Sequence, residues 1–185
     1  MADFIVIWKP TGWPHAEILR LVNVCQKRGA VDEPWRFKSH RLAKVGDRVF
    51  ALKQGDGPKS IFGVGSISSE PFRGRATTGK YQWLANVRFT NIVDPLSDAL
   101  IPEEIVRSVL PNNLIRARSS GMPIENSVAT ELLKYLVVRP DSIGTRNAVY
   151  VTWREGEARG CTDVLALELF QYEGSRNGVI HQVRG

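Results

Sequence analysis

The apolar residues of this chain come in short, β-rich runs closed by glycine or proline, and that punctuation limits the possible folds more than any other feature. Phe4-Ile5-Val6-Ile7-Trp8 is continuous rather than alternating and stops at Pro10 and Gly12, so it reads as a buried strand. Pro14 suits the first turn of a helix whose apolar positions Ile18, Leu21, Val22 and Cys25 recur at helical spacing up to Gly29. Residues 30 to 44 read as a long basic, aromatic loop. A second strand is expected at 48 to 53, a Gly/Pro turn at 54 to 58, and the other arm of a hairpin at 61 to 68, where Gly63 and Gly65 suggest a bulge. After a loop at 73 to 80 comes a strand at 83 to 92. The second half reads as a helix at 102 to 110, a polar loop at 112 to 123, a helix at 123 to 138, and strands at 147 to 153, 163 to 172 and 178 to 183. Strands that dominate early, with helices inserted at irregular intervals, argue for an α+β fold rather than a doubly wound sheet.

Several classes of function find no support in the residues. The apolar runs are too short for a membrane-spanning helix, and Met1-Ala2-Asp3 lacks the basic start of a signal peptide, so the expectation is a cytoplasmic protein with no membrane partner. Cys25 and Cys161 stand alone and read as reduced thiols. His15, His40 and His181 have no nucleophile motif around them, and with two dispersed cysteines they offer no zinc spacing. Gly63-Val64-Gly65 lacks the third glycine of a dinucleotide fingerprint. A metal-dependent nuclease could be built only from Asp141 with Glu155 and Glu157, and no lysine accompanies them. The reading is therefore a binding chain with no catalytic residue, metal or cofactor; that nuclease is the alternative from another class.

Charge says what is bound. The chain of 185 residues carries a formal +6, and the excess sits in the first half: residues 1 to 93 hold fifteen Lys/Arg and seven Asp/Glu, residues 94 to 185 ten and twelve. Arg36, Lys38, Arg41, Lys44 and Arg48 gather with His40, and Arg73, Arg75 and Lys80 form a second group. Trp35, Phe37, Leu42, Phe72, Tyr81 and Trp83 are interleaved with them, which distinguishes both groups from a disordered basic tail. Two such clusters flanking the same apolar strands point to a nucleic-acid surface.

An ordered set of short blocks then resembles a known family. Phe4-Ile5-Val6-Ile7-Trp8-Lys9-Pro10, Trp13-Pro14, Pro34-Trp35, Gly46-Asp47-Arg48-Val49-Phe50, Lys53-Gln54-Gly55, Ile61-Phe62-Gly63-Val64-Gly65, Ser69-Glu70-Pro71-Phe72 and Ser119-Ser120-Gly121 together resemble the EVE domain, over residues 3 to 138. The resemblance implies a PUA-like, strongly bent β-barrel of about five to six strands flanked by helices. Related YTH and ASCH modules share that superfamily. It further implies a ligand, a modified base in DNA or RNA held in an aromatic pocket.

On this resemblance residues 1 to 140 form the base-binding domain. Residues 141 to 185 either complete the barrel with further strands or lead toward a nuclease domain not in this chain, since Tyr172-Glu173-Gly174-Ser175-Arg176 resembles the approach to an HNH domain. The chain is then expected to be the reading module of a larger modification-dependent restriction endonuclease, bound to double-stranded DNA containing 5-methyl- or 5-hydroxymethylcytosine. An RNA reader of the YTH kind is the alternative. A base inside a duplex can be read around its edge only once flipped out. Trp35, taken as a loop residue, is the expected stacking face. Ser39, Lys53, Gln54, Trp8, Lys9, Trp13, Tyr81, Trp83, Ser119 and Ser120 are the further pocket candidates; Trp8 and Trp83 also read as core, Lys53 and Gln54 as ordinary hairpin-end polarity. Lys38, Arg41, Arg73, Arg75, Arg116 and Arg118 are the expected phosphate contacts.

Overall fold

The computed structural model describes residues 2–75 and 79–136. The expected strands beyond 146, the carboxylates Asp141, Glu155 and Glu157, Cys161 and His181 lie outside these residues, as does the expected second region from 141 onward. Within them the chain is α+β and PUA-like. The strands are β1 (Asp3–Trp8), β2 (Val31–Arg36), β3 (Arg48–Lys53), β4 (Ile61–Ile67), β5 (Phe72–Arg75), β6 (Tyr81–Ile92) and β7 (Met122–Ile124). The helices are α1 (His15–Arg28), α2 (Glu103–Val109), α3 (Asn112–Ile115) and α4 (Asn126–Lys134). The strands make one curled, unclosed sheet in the order β2-β6-β4-β3-β1-β7, with β5 also paired to β6. It has seven strands where the resemblance implied about five to six, and β5 and β7 are too short to leave a pattern in the sequence.

The continuous apolar runs have a simple cause. Phe4, Val6 and Trp8 of β1 and Val49 and Ala51 of β3 enter one core with α1, β2 and β6. Ile5 of β1 and Phe50 and Leu52 of β3 enter a second core with α2, α3 and α4. Both strands are thus covered on both faces, which an alternating pattern would not permit. They lie side by side and parallel, Phe4 opposite Val49 and Trp8 opposite Lys53. α1 provides the cover on one face through Ile18, Leu21, Val22 and Cys25, and ends at Gly29, whose N–H returns to the Cys25 carbonyl. Each fully buried large apolar side chain of this kind contributes about 1.5–3 kcal/mol.

Three expectations are corrected. Residues 31–36 are an edge strand and not part of a long loop: only Val31 and Trp35 are buried, and Pro34, which has no N–H to give a ladder, is tolerated because β2 is outermost. Of the loop expected at 73 to 80, Arg73, Gly74 and Arg75 belong to β5 and pair with Trp83, Gln82 and Tyr81 of β6. The loop at 112 to 123 contains α3 and the start of β7, and the last helix is confined to Asn126–Lys134. The bulge expected near Gly63 and Gly65 is present, with register shifts between Ala51 and Leu52 and between Val64 and Gly65.

Gly65 lies at the register shift between β4 and β6. A Cβ there would meet the Arg88 carbonyl oxygen at 2.1 Å, a backbone atom that cannot swing aside. Gly65→Ala is expected to cost about 3 kcal/mol or more, read as a lower urea midpoint with the slope unchanged. An unaltered midpoint would place the constraint elsewhere.

A second anchor joins the start of α1 to the segment after β6. The His15 ring meets the Asp94 carboxylate at 2.6 Å, and Asp94 also accepts from the Leu96 N–H and the Ser97 hydroxyl. Burial pushes the Asp94 carboxyl up, but the Leu96 N–H, His15 and Ser97 outweigh it and hold the group below the ordinary carboxylate range. A carboxyl depressed on folding stabilises the native state above its unfolded pKa, about 3.9, and that contribution fades as pH falls through the folded value. Asp94→Asn should lower stability at neutral pH and flatten the acid limb of a stability-against-pH curve. A parallel downward displacement of the whole curve would exclude the linkage.

Candidate nucleic-acid interface

The segment that follows β2 is stitched to two other parts of the chain. The Phe37 N–H donates to the Trp83 carbonyl at 2.9 Å, Lys38 N–H to the Ser120 carbonyl at 2.9 Å, and Ser39 N–H to the Gly121 carbonyl at 3.2 Å. The Ser120–Gly121 turn is in turn fixed to β1: the Ser120 hydroxyl accepts from Ile7 N–H at 3.0 Å, and Gly121 N–H donates to the Ile5 carbonyl at 2.9 Å. Residues distant in sequence are thereby gathered along one strip. It runs from Arg75 and Tyr81, through Arg73, Trp83 and His40, to Lys38, Ser39 and the Ser119–Gly121 turn that follows Arg116 and Arg118.

The strip's aromatic groups are occupied by their own neighbours. His40 stacks on Trp83 with centroids 4.1 Å apart and planes 8° from parallel. The Arg73 guanidinium lies 5.8 Å from the Trp83 centroid and that of Arg75 5.5 Å from Tyr81. His40, which was not among the expected pocket residues, is thus part of the strip; its place inside a basic, aromatic segment was the available signal.

Among the described residues the expected phosphate contacts have no ion-pair partner. Lys38, Arg41, Arg73, Arg75, Arg116 and Arg118 are exposed, and none forms an ion pair with a described residue. Several other cations are matched: Arg20 with Glu17 and Glu33, Arg48 with Asp3, Arg88 with Asp32, Arg107 with Glu103.

Trp35 occupies a different position from the one its sequence context suggests. It sits on β2 opposite Ala85, only 3% exposed, with the Trp13 ring 4.8 Å away at 67° and Phe89 5.8 Å away at 68°. Its indole N–H is buried and has no hydrogen-bond partner among the described residues. Trp13 is half-buried on the loop between β1 and α1, and its carbonyl accepts from the Trp8 indole at 3.0 Å. Trp8 itself is core, 1% exposed, while Lys9 is exposed.

Lys53 and Gln54 do not project beyond the end of the sheet. Both are buried, because the hairpin loop folds over them: the Lys53 ammonium donates to the carbonyls of Asp56 and Pro58 at 2.9 Å each. Gln54 donates to the Ile115 carbonyl at 2.8 Å. Among the described residues no cluster of three or more His, Cys, Asp or Glu could hold a metal ion, and no helix is long and apolar enough to cross a membrane.

No protein-family model and no curated protein matches the chain. Solved structures do. Human THYN1, crystallised in complex with DNA containing 5-methylcytosine, superimposes with a TM-score of 0.50 at 14% identity, over 72% of this chain and 96% of that one. A hypothetical protein from Leishmania major gives 0.49 at 12% identity over 72% and 93%. The YTH domain of Zygosaccharomyces rouxii MRB1, in complex with N6-methyladenosine RNA, gives 0.41 at 14% identity over 86% and 89%. The likeness to THYN1 is one of fold.

The stitching depends on Gly121. Its φ of +70° is one that side chains rarely adopt, and an added Cβ would lie 2.3 Å from the Phe37 Cα. Gly121→Ala should push residues 37–39 off the turn, seen as faster hydrogen exchange at the Lys38 and Ser39 amides. If both amides stay as protected as before, the glycine is not what holds the strip together.

Proposed function

We propose that this chain is a reader of modified nucleic acid that takes a modified cytosine, 5-methyl- or 5-hydroxymethylcytosine, flipped from duplex DNA against Trp35. The observation that carries the reading is the unpartnered Trp35 N–H beside the half-exposed Trp13 ring. A buried donor without an acceptor costs about 1–3 kcal/mol, and a base carbonyl or ring nitrogen would supply the missing acceptor. Trp13 belongs to a loop rather than to the sheet, so its ring can shift to admit a planar base between the two indoles. The half-buried Ser39 and Ser119 and the Ser120 hydroxyl lie along the adjoining strip and offer hydrogen bonds to the base edge or sugar.

The cations of the strip hold the backbone and the pocket selects the base. A duplex offers the same phosphates everywhere, so Lys38, Arg41, Arg116 and Arg118 give affinity and salt dependence without base information. The fold shared with THYN1, whose structure contains 5-methylcytosine DNA, supports DNA as the partner. The chain binds without cutting; in a modification-dependent restriction endonuclease, as its resemblance to EVE modules implies, it is the specificity module and a separate nuclease domain makes the break.

The test is a binding panel of matched duplexes carrying cytosine, 5-methylcytosine or 5-hydroxymethylcytosine, with the corresponding RNA, at physiological salt. Tighter binding to at least one modified DNA is expected. Equal affinity for all members refutes the reading, and preference for methylated RNA replaces DNA with RNA. Trp35→Phe keeps a ring in the core but removes the N–H, and should weaken binding to the preferred duplex by roughly fivefold, the worth of one hydrogen bond. Affinity unchanged in that variant would locate the pocket elsewhere.

A further inference from the structure

The β5–β6 ribbon carries a second arrangement that base recognition does not require. Arg73 pairs directly across from Trp83 and Arg75 from Tyr81, so all four side chains share one face of the ribbon. Phe72, Leu84, Gly74 and Gln82 take the other. Each arginine lies over the ring opposite to it, at 5.8 and 5.5 Å. Trp83 is itself fixed, by His40 stacked on its ring and by the Phe37 N–H on its carbonyl. Neither arginine is paired with a carboxylate among the described residues.

An arginine laid on an aromatic face has lost much of its rotamer freedom before any ligand arrives, while its N–H edge stays open. Residues two apart on a strand are about 7 Å apart along it, a spacing close to that of neighbouring phosphates on one nucleic-acid strand. We propose that this face of the ribbon grips two successive phosphates of one strand, with Tyr81 and Trp83 serving as platforms for the arginines rather than as walls of a base pocket. Planar guanidinium groups suit the task because each can present two parallel N–H donors to one phosphate. The inference rests on the reading that the partner is nucleic acid, but not on which base is read.

The experiment measures affinity of the full chain for unmodified and modified duplexes across a range of salt. Each phosphate neutralised contributes about 0.9 to the slope of log affinity against log salt, so Arg73→Ala with Arg75→Ala should reduce the slope by about 1.8. The ratio of modified to unmodified affinity should not change. Tyr81→Ala alters an exposed ring, 63% accessible, and leaves the core intact. It should weaken binding several-fold with the slope retained, because Arg75 keeps its charge but loses its support. A slope unchanged in the double variant overturns the proposal, as does full affinity in Tyr81→Ala accompanied by a normal response to the double change. If instead the affinity ratio is already one in the unsubstituted protein while the slope responds as expected, the base reading fails and the ribbon contact stands.

Discussion

Burial of β1 on both faces is the constraint from which the site follows. A strand packed between two cores and hydrogen-bonded along both edges, parallel to β3 and antiparallel to β7, has no freedom to slide, since a shift of one residue would exchange Phe4, Val6 and Trp8 for Ile5 and Ile7. The functional loops hang from this strand. Its Ile5 and Ile7 main chain holds the Ser120–Gly121 turn, which holds Lys38 and Ser39; its Trp8 holds Gln54 through its carbonyl and Trp13 through its indole. The aromatic and cationic side chains thus inherit the rigidity of the core although most of them stand on loops and ribbon ends, which is how a binding site is placed with little entropy left to lose.

Electrostatics follows a division of labour along the same lines. Acidic residues are spent on cations that serve the fold: Asp3 on Arg48, Asp32 on Arg88, Glu103 on Arg107. Ser68 and then Arg88 hold the Asp32 carboxyl below its usual range, as Arg107 does for Glu103, so these partners remain ionised at neutral pH. The strip around Trp83 has no such partners among the described residues. Its charges face solvent and reach about 10 Å at moderate salt, enough for neighbours along the strip to act on one polyanion together. The +6 of the whole chain understates this, because residues 1 to 93 carry fifteen Lys/Arg against seven Asp/Glu and the remainder carries an acidic excess.

What could be read from the sequence depended on how far burial imprints a pattern. β1, β3 and α1 were legible because each buries a face or both faces, and Gly63 and Gly65 announced the bulge. β2 was not, since an edge strand needs only Val31 and Trp35 inside and can carry Asp32, Glu33, Pro34 and Arg36 outward. That error moved Trp35 from sheet to loop. Lys53 and Gln54 read outward because nothing in a sequence reveals that the carbonyls of Asp56, Pro58 and Ile115 will close over them. The two basic clusters were visible, but not that Phe37, Lys38 and Ser39 would be hydrogen-bonded to Trp83 and to the Ser120–Gly121 turn, because those contacts are made by the backbone and are blind to side-chain identity.

The arrangement also bounds how selectivity can arise. Phosphate contacts strengthen binding to every sequence equally, so a stronger strip raises the background against which a modified base must be found. One added methyl buried in the pocket is worth about 0.8 kcal/mol, a few-fold at most. Polar groups that are satisfied only by the right base edge add discrimination against other bases, and a buried donor with nothing to bond is such a group. It meets the same carbonyl and ring nitrogen in cytosine and 5-methylcytosine, so the modification itself is left to the contact with the added group. Under the proposed function that role falls to Trp35, whose N–H, like His40 Nδ1, Gln82 Oε1 and Asn91 Oδ1, has no partner among the described residues, while the polar ends of Trp8, Lys53 and Gln54 are already committed to carbonyls. On that proposal affinity and selectivity are set by different parts of the chain, and changing the strip alone alters how tightly nucleic acid is held without altering which base is preferred.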